Sequence, residues 1–364
     1  MDTRVIIGFV HRSIRRRRPL VIEAYGGQQF VGVDLHRRRS VIVRMSESGE
    51  SLGWERIVNG RDRLAEAMAG AGENPEVVLE ATYGWYWAAD LLAEMGANVH
   101  LAHPLGVKAF SYRRVKNDVR DATDLADLLR MGRLPEAWIA PPQTRQLREL
   151  VRHRAKLVHA RTSLRCQVHA VLAGQGVAVP VSDLFGLAGT KLLDELVLPE
   201  AYRYRIESLR RLIAAFDIEI DSTARLTRDR LEQDLGYAAV KTIPGVGPIL
   251  GAIFVAEIGE VTRFPGPAQL TSWAGLTPKH HESDTTVHRG RITKQGSRLV
   301  RWAAVEAVQR IEQHSPLWQV RERIAARRGR NIATVAAARE LVEMVFYALR
   351  DHTVRRLTRP VLAA

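Results

Sequence analysis

The chain has 364 residues, 46% of them apolar, enough for two or three domains with cores of their own. Its net charge of +14 points to a polyanionic partner, and because no apolar run approaches the ~20 residues of a membrane span, nucleic acid is favoured over lipid. A single cysteine, Cys166, excludes an internal disulfide and a cysteine-cluster zinc site and suits a reducing cytoplasm.

Residues 1–27 form a basic extension in which Arg15-Arg16-Arg17-Arg18 follows a short apolar patch, Val5 to Val10. The patch is short and precedes the charges, so neither a signal peptide nor an anchor is expected. A mobile basic tail, or a start codon upstream of the true one, accounts for it better than a dedicated phosphate clamp. From Gln29 the pattern turns to strand chemistry, with short β-branched and aromatic runs at Phe30 to Leu35, Ser40 to Val43 and Trp54 to Val58. Arg61 to Gly70 reads as helix, Val77 to Glu80 as a buried strand, Trp85 to Met95 as helix and Val99 to Ala102 as strand. The order β-β-β-α-β-α-β-α, a meander followed by parallel crossovers, predicts a ribonuclease-H-like α/β domain over residues 28–140. In that topology Asp34 ends the first strand, Glu80 ends the fourth, and the two strands lie side by side.

Lys116-Asn117-Asp118-Val119-Arg120-Asp121-Ala122 opens the last helix of that order. At about 100° per residue, Asp118 and Asp121 share the inward arc of Ala122, Leu125, Leu128 and Leu129, while Asp127 points the other way and Asp124 lies at the surface. Acids in a first helical turn also suit the macrodipole, so this segment alone does not make a site. Four acids converging on one spot change the weighing. Without cations between them they would repel one another by several kcal/mol, so Asp34, Glu80, Asp118 and Asp121 are expected to hold two Mg2+ roughly 4 Å apart, a pair that can position a phosphodiester.

Pro141-Pro142 ends this domain, and residues 141–237 read as a helical arm and linker. Thr144 to Leu172 carries Leu147, Leu150, Leu157, Leu164, Val168 and Val171 at heptad-like spacing, interrupted by Arg154 and Arg161, which predicts a coiled-coil arm able to join subunits. A solvated helix packed within its own chain is the alternative. The other faces bear Arg145, Arg148, Arg152, Lys156 and Arg165 against Glu149 alone, so Arg148, Arg152 and Lys156 are candidates to track a phosphate backbone. Val177 to Gly189 is a loop marked by Gly and Pro, and Glu200 to Leu235 is further amphipathic helix.

Residues 238–355 form a third, mostly helical module. Ile243-Pro244-Gly245-Val246-Gly247-Pro248, followed by the apolar Ile249 to Ile258, resembles a helix-hairpin-helix turn in which Gly245 and Gly247 let backbone N–H groups approach a phosphate. Gly275-Leu276-Thr277-Pro278 leads into a polar loop, His280-His281-Glu282-Ser283-Asp284, and then to a basic run in which Arg289, Arg291, Lys294 and Arg298 are phosphate candidates. His280, His281 and His288 are spaced too irregularly for metal ligands and fit better as solvated side chains. Ser272 and Ser297 fit as helix-terminal hydroxyls.

Asp34 in Val-Asp-Leu-His, Glu80 in Leu-Glu-Ala-Thr-Tyr-Gly, the Lys116 to Ala122 segment, the Ile-Pro-Gly-Val-Gly hairpin, and Gly275-Leu276-Thr277-Pro278 leading to Ser283 and Gly290 to Ser297 together resemble the DEDD-type insertion-sequence transposases, also described as bridge-RNA-guided recombinases. The likeness runs from Phe30 to about Tyr347. It implies a RuvC-like N-terminal domain in which Asp34, Glu80, Asp118 and Asp121 are the metal-binding tetrad, and a C-terminal domain in which Ser283 is the nucleophile. The family's Gln-Ser-Gly stands here as Glu282-Ser283-Asp284. The resemblance further implies a phosphoserine link that conserves bond energy, strand exchange through a four-way junction without ATP, and a structured RNA from the element that pairs with donor and target DNA. A homodimer or tetramer goes with it. Two rival classes stay open: a junction-resolving metal nuclease would use the same acids with water and not need Ser283, whereas a non-catalytic nucleic-acid-binding protein would have no reason to keep the acids.

Overall fold

The computed structural model describes residues 25–110, 117–283 and 286–354, so the basic extension around Arg15 to Arg18, Lys116 and Asp284 lie outside the described residues. The chain divides into two compact units, Met1–Ile139 and Ala140–Ala364.

In the first unit, β1 (Gln29–Leu35), β2 (Arg39–Ser46) and β3 (Ser51–Val58) form an antiparallel meander. α1 (Arg61–Met68), β4 (Glu76–Glu80), α2 (Tyr86–Glu94), β5 (Asn98–Ala102), the short α3 (Pro104–Val107) and α4 (Asp118–Arg130) follow. The sheet order is β3-β2-β1-β4-β5, with β1–β4 and β4–β5 parallel. This is the strand arrangement that the meander and crossovers call for, consistent with a ribonuclease-H-like domain.

Alternation along the strands decides what each face meets. Val31, Val33, Leu35, Val77 and Leu79 pack with Leu64 and Met68 of α1 and with Leu91 and Leu92 of α2. The even-numbered positions face α4, where Val78 packs with Leu125 and Leu129. Gly32 lies so close beneath α4 that a Cβ there would stand 1.9 Å from the Ala122 carbonyl oxygen. The close seat of α4 therefore depends on that glycine.

Among its described residues, the regular structure of the second unit is helical apart from one hairpin. Its elements are α5 (Pro142–Gly174), α6 (Leu187–Glu195), α7 (Glu200–Arg230), α8 (Leu235–Val240), α9 (Pro248–Ile258), α10 (Pro267–Trp273), β6 (Pro278–Ser283), β7 (Thr286–Ile292), α11 (Arg298–Gln309), α12 (Pro316–Arg328) and α13 (Arg330–Asp351). α9 is apolar on nearly every side and packs against α11; Ala303, Ala304 and Ala307 of α11 and Ala337 and Ala338 of α13 belong to the same core. α5 and α7, 33 and 31 residues long, run antiparallel, with Arg161 paired to Asp217 and Arg230 to Gln146. Val168 and Val171 of the heptad-like seam pack into a small core shared with Leu209 and Ile213 of α7, so this part of the seam finds its partner within the chain. Among the described residues, no helix is long and apolar enough to cross a membrane.

The polar stretch expected to be a loop is instead the β6–β7 hairpin, in which Ser283 pairs with Thr286. Neither strand alternates apolar with polar residues, so the strand signal that periodicity gives elsewhere is missing from this segment.

Candidate metal centre and serine hairpin

Strand periodicity brings the first two acids together. Asp34 and Glu80 share the parity of Gly32 and Val78, so both stand on the α4 face, one step past the last recorded β1–β4 pair, Val33 with Leu79. α4 begins at Asp118 because Asn117 caps it, its Oδ1 accepting the Val119 N–H at 3.0 Å. Asp118 and Asp121 thus occupy the first turn, where the helix dipole favours carboxylates.

Ligand atoms of Asp34, His36 and Asp118 all lie within 4.8 Å of one another. His36 Nε2 is 3.1 Å from Asp34 Oδ2 and 3.6 Å from Asp118 Oδ1, and Arg56 stands 3.7 Å from Asp118 Oδ2. The Asp34 side chain is 14% exposed and that of Asp118 38%. Asp118 is therefore only half-buried, not turned fully into the core as the helical arc suggested, because it sits at the very start of its helix. Glu80 and Asp121 line a cleft of about 910 Å³ together with Asp34 and His36. Arg37, Lys108 and Arg120 line the same cleft and supply positive charge. Asp124 is exposed, as expected, whereas Asp127 does not point away: it lines the cleft too and accepts from Arg130 at 2.6 and 3.0 Å.

The structure thus brings Asp34 and Asp118 together around His36 and puts Glu80 and Asp121 on the walls of the cleft that Asp34 and His36 line. The two carboxylates of this cluster offer hard oxygen donors that fit a divalent ion such as Mg2+, with the His36 imidazole as a third, nitrogen donor. His36 and Arg56 were not singled out from the sequence. For His36 the signal was present: it follows Asp34 by two residues and so continues the same face.

Ser283 is exposed near the hairpin tip. The root is fastened by backbone bonds from Thr293 N–H to Thr277 O (2.9 Å) and from Lys294 N–H to Gly275 O (3.1 Å). Arg301 donates to Ala274 O at 2.9 Å and Gln295 O at 2.7 Å, and burial, reinforced by Arg298, holds its pKa below the ordinary guanidinium value. Ser297 caps α11, accepting the Val300 N–H at 3.3 Å, and donates to Glu257 Oε2 at 3.1 Å. Ser272 lies exposed in the last turn of α10.

The basic candidates divide. Arg148 donates to the carbonyls of Ala256 and Glu257 at 2.9 Å each, and Arg152 grips the buried Glu257 carboxylate at 2.7 and 3.0 Å. Arg263 donates to Ile258 O at 3.3 Å and stacks 4.0 Å from the Phe264 ring centre; burial, then Arg148, lowers its pKa to about 10. Guanidinium groups therefore cap the carbonyl end of α9. This corrects the picture of Arg148 and Arg152 as outward phosphate contacts: both point into the fold, toward a helix C-terminus that needs donors. Lys156 is exposed. Gly245, at φ +84°, is required by packing, since a Cβ would stand 2.2 Å from Ala307 O, whereas Gly247 is exposed with open space around it. Arg291, Lys294 and Arg298 are exposed, and Arg289 lies on β7.

Known proteins resemble this chain along most of its length. A family model of DEDD transposases of the IS110 kind, described as "Transposase", matches residues 31–175, and the model "Transposase IS116/IS110/IS902 family" matches residues 237–323. The y4qE protein of Sinorhizobium fredii is 25% identical over 357 residues, covering 89% of each chain. The transposase for insertion sequence element IS1328 of Yersinia enterocolitica is 24% identical, covering 89% of this chain and 98% of its own. The transposase for IS1111A of Coxiella burnetii is 24% identical, with 90% and 91% covered.

Proposed function

Because the chain belongs to the DEDD transposases of the IS110 family, and so acts on DNA as a transposase, we propose that it cuts and rejoins DNA through a covalent serine–DNA intermediate at a metal-assisted site. The observation that carries the metal half is the cluster of Asp34, His36 and Asp118, of which Asp34 and His36 line the cleft that Glu80 and Asp121 also line. Asp34, Glu80, Asp118 and Asp121 would hold two Mg2+, with His36 and Arg56 fixing the orientation of Asp34 and Asp118. The chemistry that bound ions supply is neutralisation of the phosphodiester charge and stabilisation of the attacking and leaving oxygens.

Ser283 is the nucleophile in this reading. Its Oγ forms a bond to phosphorus as the bond from phosphorus to a deoxyribose oxygen breaks; the hydroxyl proton leaves to a base, and the departing oxygen takes one up. The phosphoserine keeps the energy of the broken bond, so a second DNA end reverses the step and joins the strand. Exposure of Ser283 near a hairpin tip, with its root fastened, supports this role. The exposed Lys156, Gly247, Arg291, Lys294 and Arg298 are the positions best placed to meet phosphates. Residues 28–140 would house the metal chemistry and 238–355 the serine, with 141–237 as the arm between them. By the same resemblance, an RNA from the element selects the DNA sites and the protein works as a homo-oligomer.

The test is adduct trapping with parent and Ser283→Ala protein on element-end DNA. The parent should give a protein–DNA adduct that maps to Ser283 by mass spectrometry. Ser283→Ala should give neither adduct nor recombinant product, while Ser272→Ala retains both. Cutting by Ser283→Ala with no adduct in the parent would establish the hydrolytic nuclease instead.

A further inference from the structure

Inside the second unit, α5, α7, α8, α9 and α11 line a cavity of about 470 Å³ that the proposed reaction does not use. Its walls are mainly apolar, with Val158, Ile249 and Ile253 among them, and the indole of Trp302, 45% exposed as a residue, forms one side. Arg154 and Arg228 also line it. Arg154 Nε is buried with no hydrogen-bond acceptor among the described residues; Arg161 adds like charge nearby and Asp221 offsets part of it. Pro248 and Leu299 line the cavity as well, which places the exposed Gly247 and Arg298 next to lining positions.

An apolar slot with a part-exposed indole and the guanidinium side chains of Arg154 and Arg228 in its lining suits one ligand chemistry: a flat aromatic ring that carries an anion. We propose that this cavity receives one nucleotide of single-stranded DNA, its base against Trp302 and its phosphate on Arg154 and Arg228. The volume lies within the range of small-molecule sites, about 300–1,000 Å³. Stacking on an aromatic ring accepts any base, so such a site adds affinity without fixing sequence. A base seated in a cavity has left its duplex, so the site distinguishes unpaired from paired DNA. The inference rests on the proposed function only in taking DNA as the partner; it needs neither the metal nor Ser283.

The test uses the full-length protein and a short single-stranded oligodeoxynucleotide carrying one 5-iodouracil. On irradiation the photoadduct should map to Trp302. Trp302→Ala and Arg154→Gln should each weaken single-strand binding about tenfold, while leaving binding of a blunt duplex within about twofold. Ala155→Phe, which fills the cavity without removing a charge, should act like Trp302→Ala. The proposal is overturned by an adduct that maps outside the helices lining the cavity, α5, α7, α8, α9 and α11, or by unchanged single-strand binding in both Trp302→Ala and Ala155→Phe. Preference for the same sequence in RNA would overturn the assignment to DNA. Asp121→Asn protein should still give the Trp302 adduct, so failure of the metal reading and failure of this one are told apart.

Discussion

The two units hold their candidate reactive groups in contrasting ways. In the first, Asp34 and Glu80 are carried by adjacent central strands of a five-stranded sheet, and α4 is seated on that sheet through contact between Gly32 and Ala122. In the second, Ser283 stands exposed on a two-stranded ribbon whose attachments are at its root. Carboxylates that share ions need separations fixed closely by the fold around them. A hydroxyl that meets its phosphate only when DNA is bound has no such need.

The comparison can be broken at several points. The largest effect is expected at the acids: Asp118→Asn or Asp121→Asn should lower DNA cleavage in Mg2+ by about 10³-fold while leaving DNA binding within about twofold. Normal turnover by Asp121→Asn would remove the metal assignment. Next comes Glu257→Ala, which strips the buried partner from Arg152 and Ser297; because Arg152 is part-exposed, the cost should be about 2–3 kcal/mol in urea unfolding. A smaller loss would mean that the guanidinium cap of α9 contributes less than its geometry suggests. Gly32→Ala should follow at roughly 1–3 kcal/mol, with a fall in metal-dependent cleavage, because α4 must lift from the sheet to admit the methyl group. Parent-like activity and stability there would show that the seat of α4 is looser than the backbone contact implies. The smallest effect on stability belongs to Ser283→Ala, below about 0.5 kcal/mol, since its exposed hydroxyl supports no core. A marked loss would mean that the hairpin depends on the serine for more than chemistry.

How much could be read from the sequence followed the same division. The strands and helices of the first unit, and the adjacency of Asp34 and Glu80, were legible because a buried sheet imposes a period of two and a packed helix a period of 3.6. The half-exposure of Asp118 was not, because it depends on where Asn117 starts the helix. The β6–β7 hairpin was missed because its strands carry no apolar alternation. The inward turn of Arg148 and Arg152 was illegible for another reason: the carbonyl groups and the Glu257 carboxylate they serve lie more than a hundred residues away, at the end of α9. Composition alone gave these arginines the look of an outward basic face.

The arginine cap on α9 also bears on how the protein will respond to ionic strength. A cation weakens its hold on DNA in salt only if binding displaces a counterion from the nucleic acid, about 0.9 per phosphate neutralised on a duplex. Arg148, Arg152 and Arg263 already face carbonyl and carboxylate oxygens of their own chain, so they are expected to neutralise no phosphate. The slope of log affinity against log salt will therefore be shallower than a charge of +14 suggests, and it will count the cations that remain exposed.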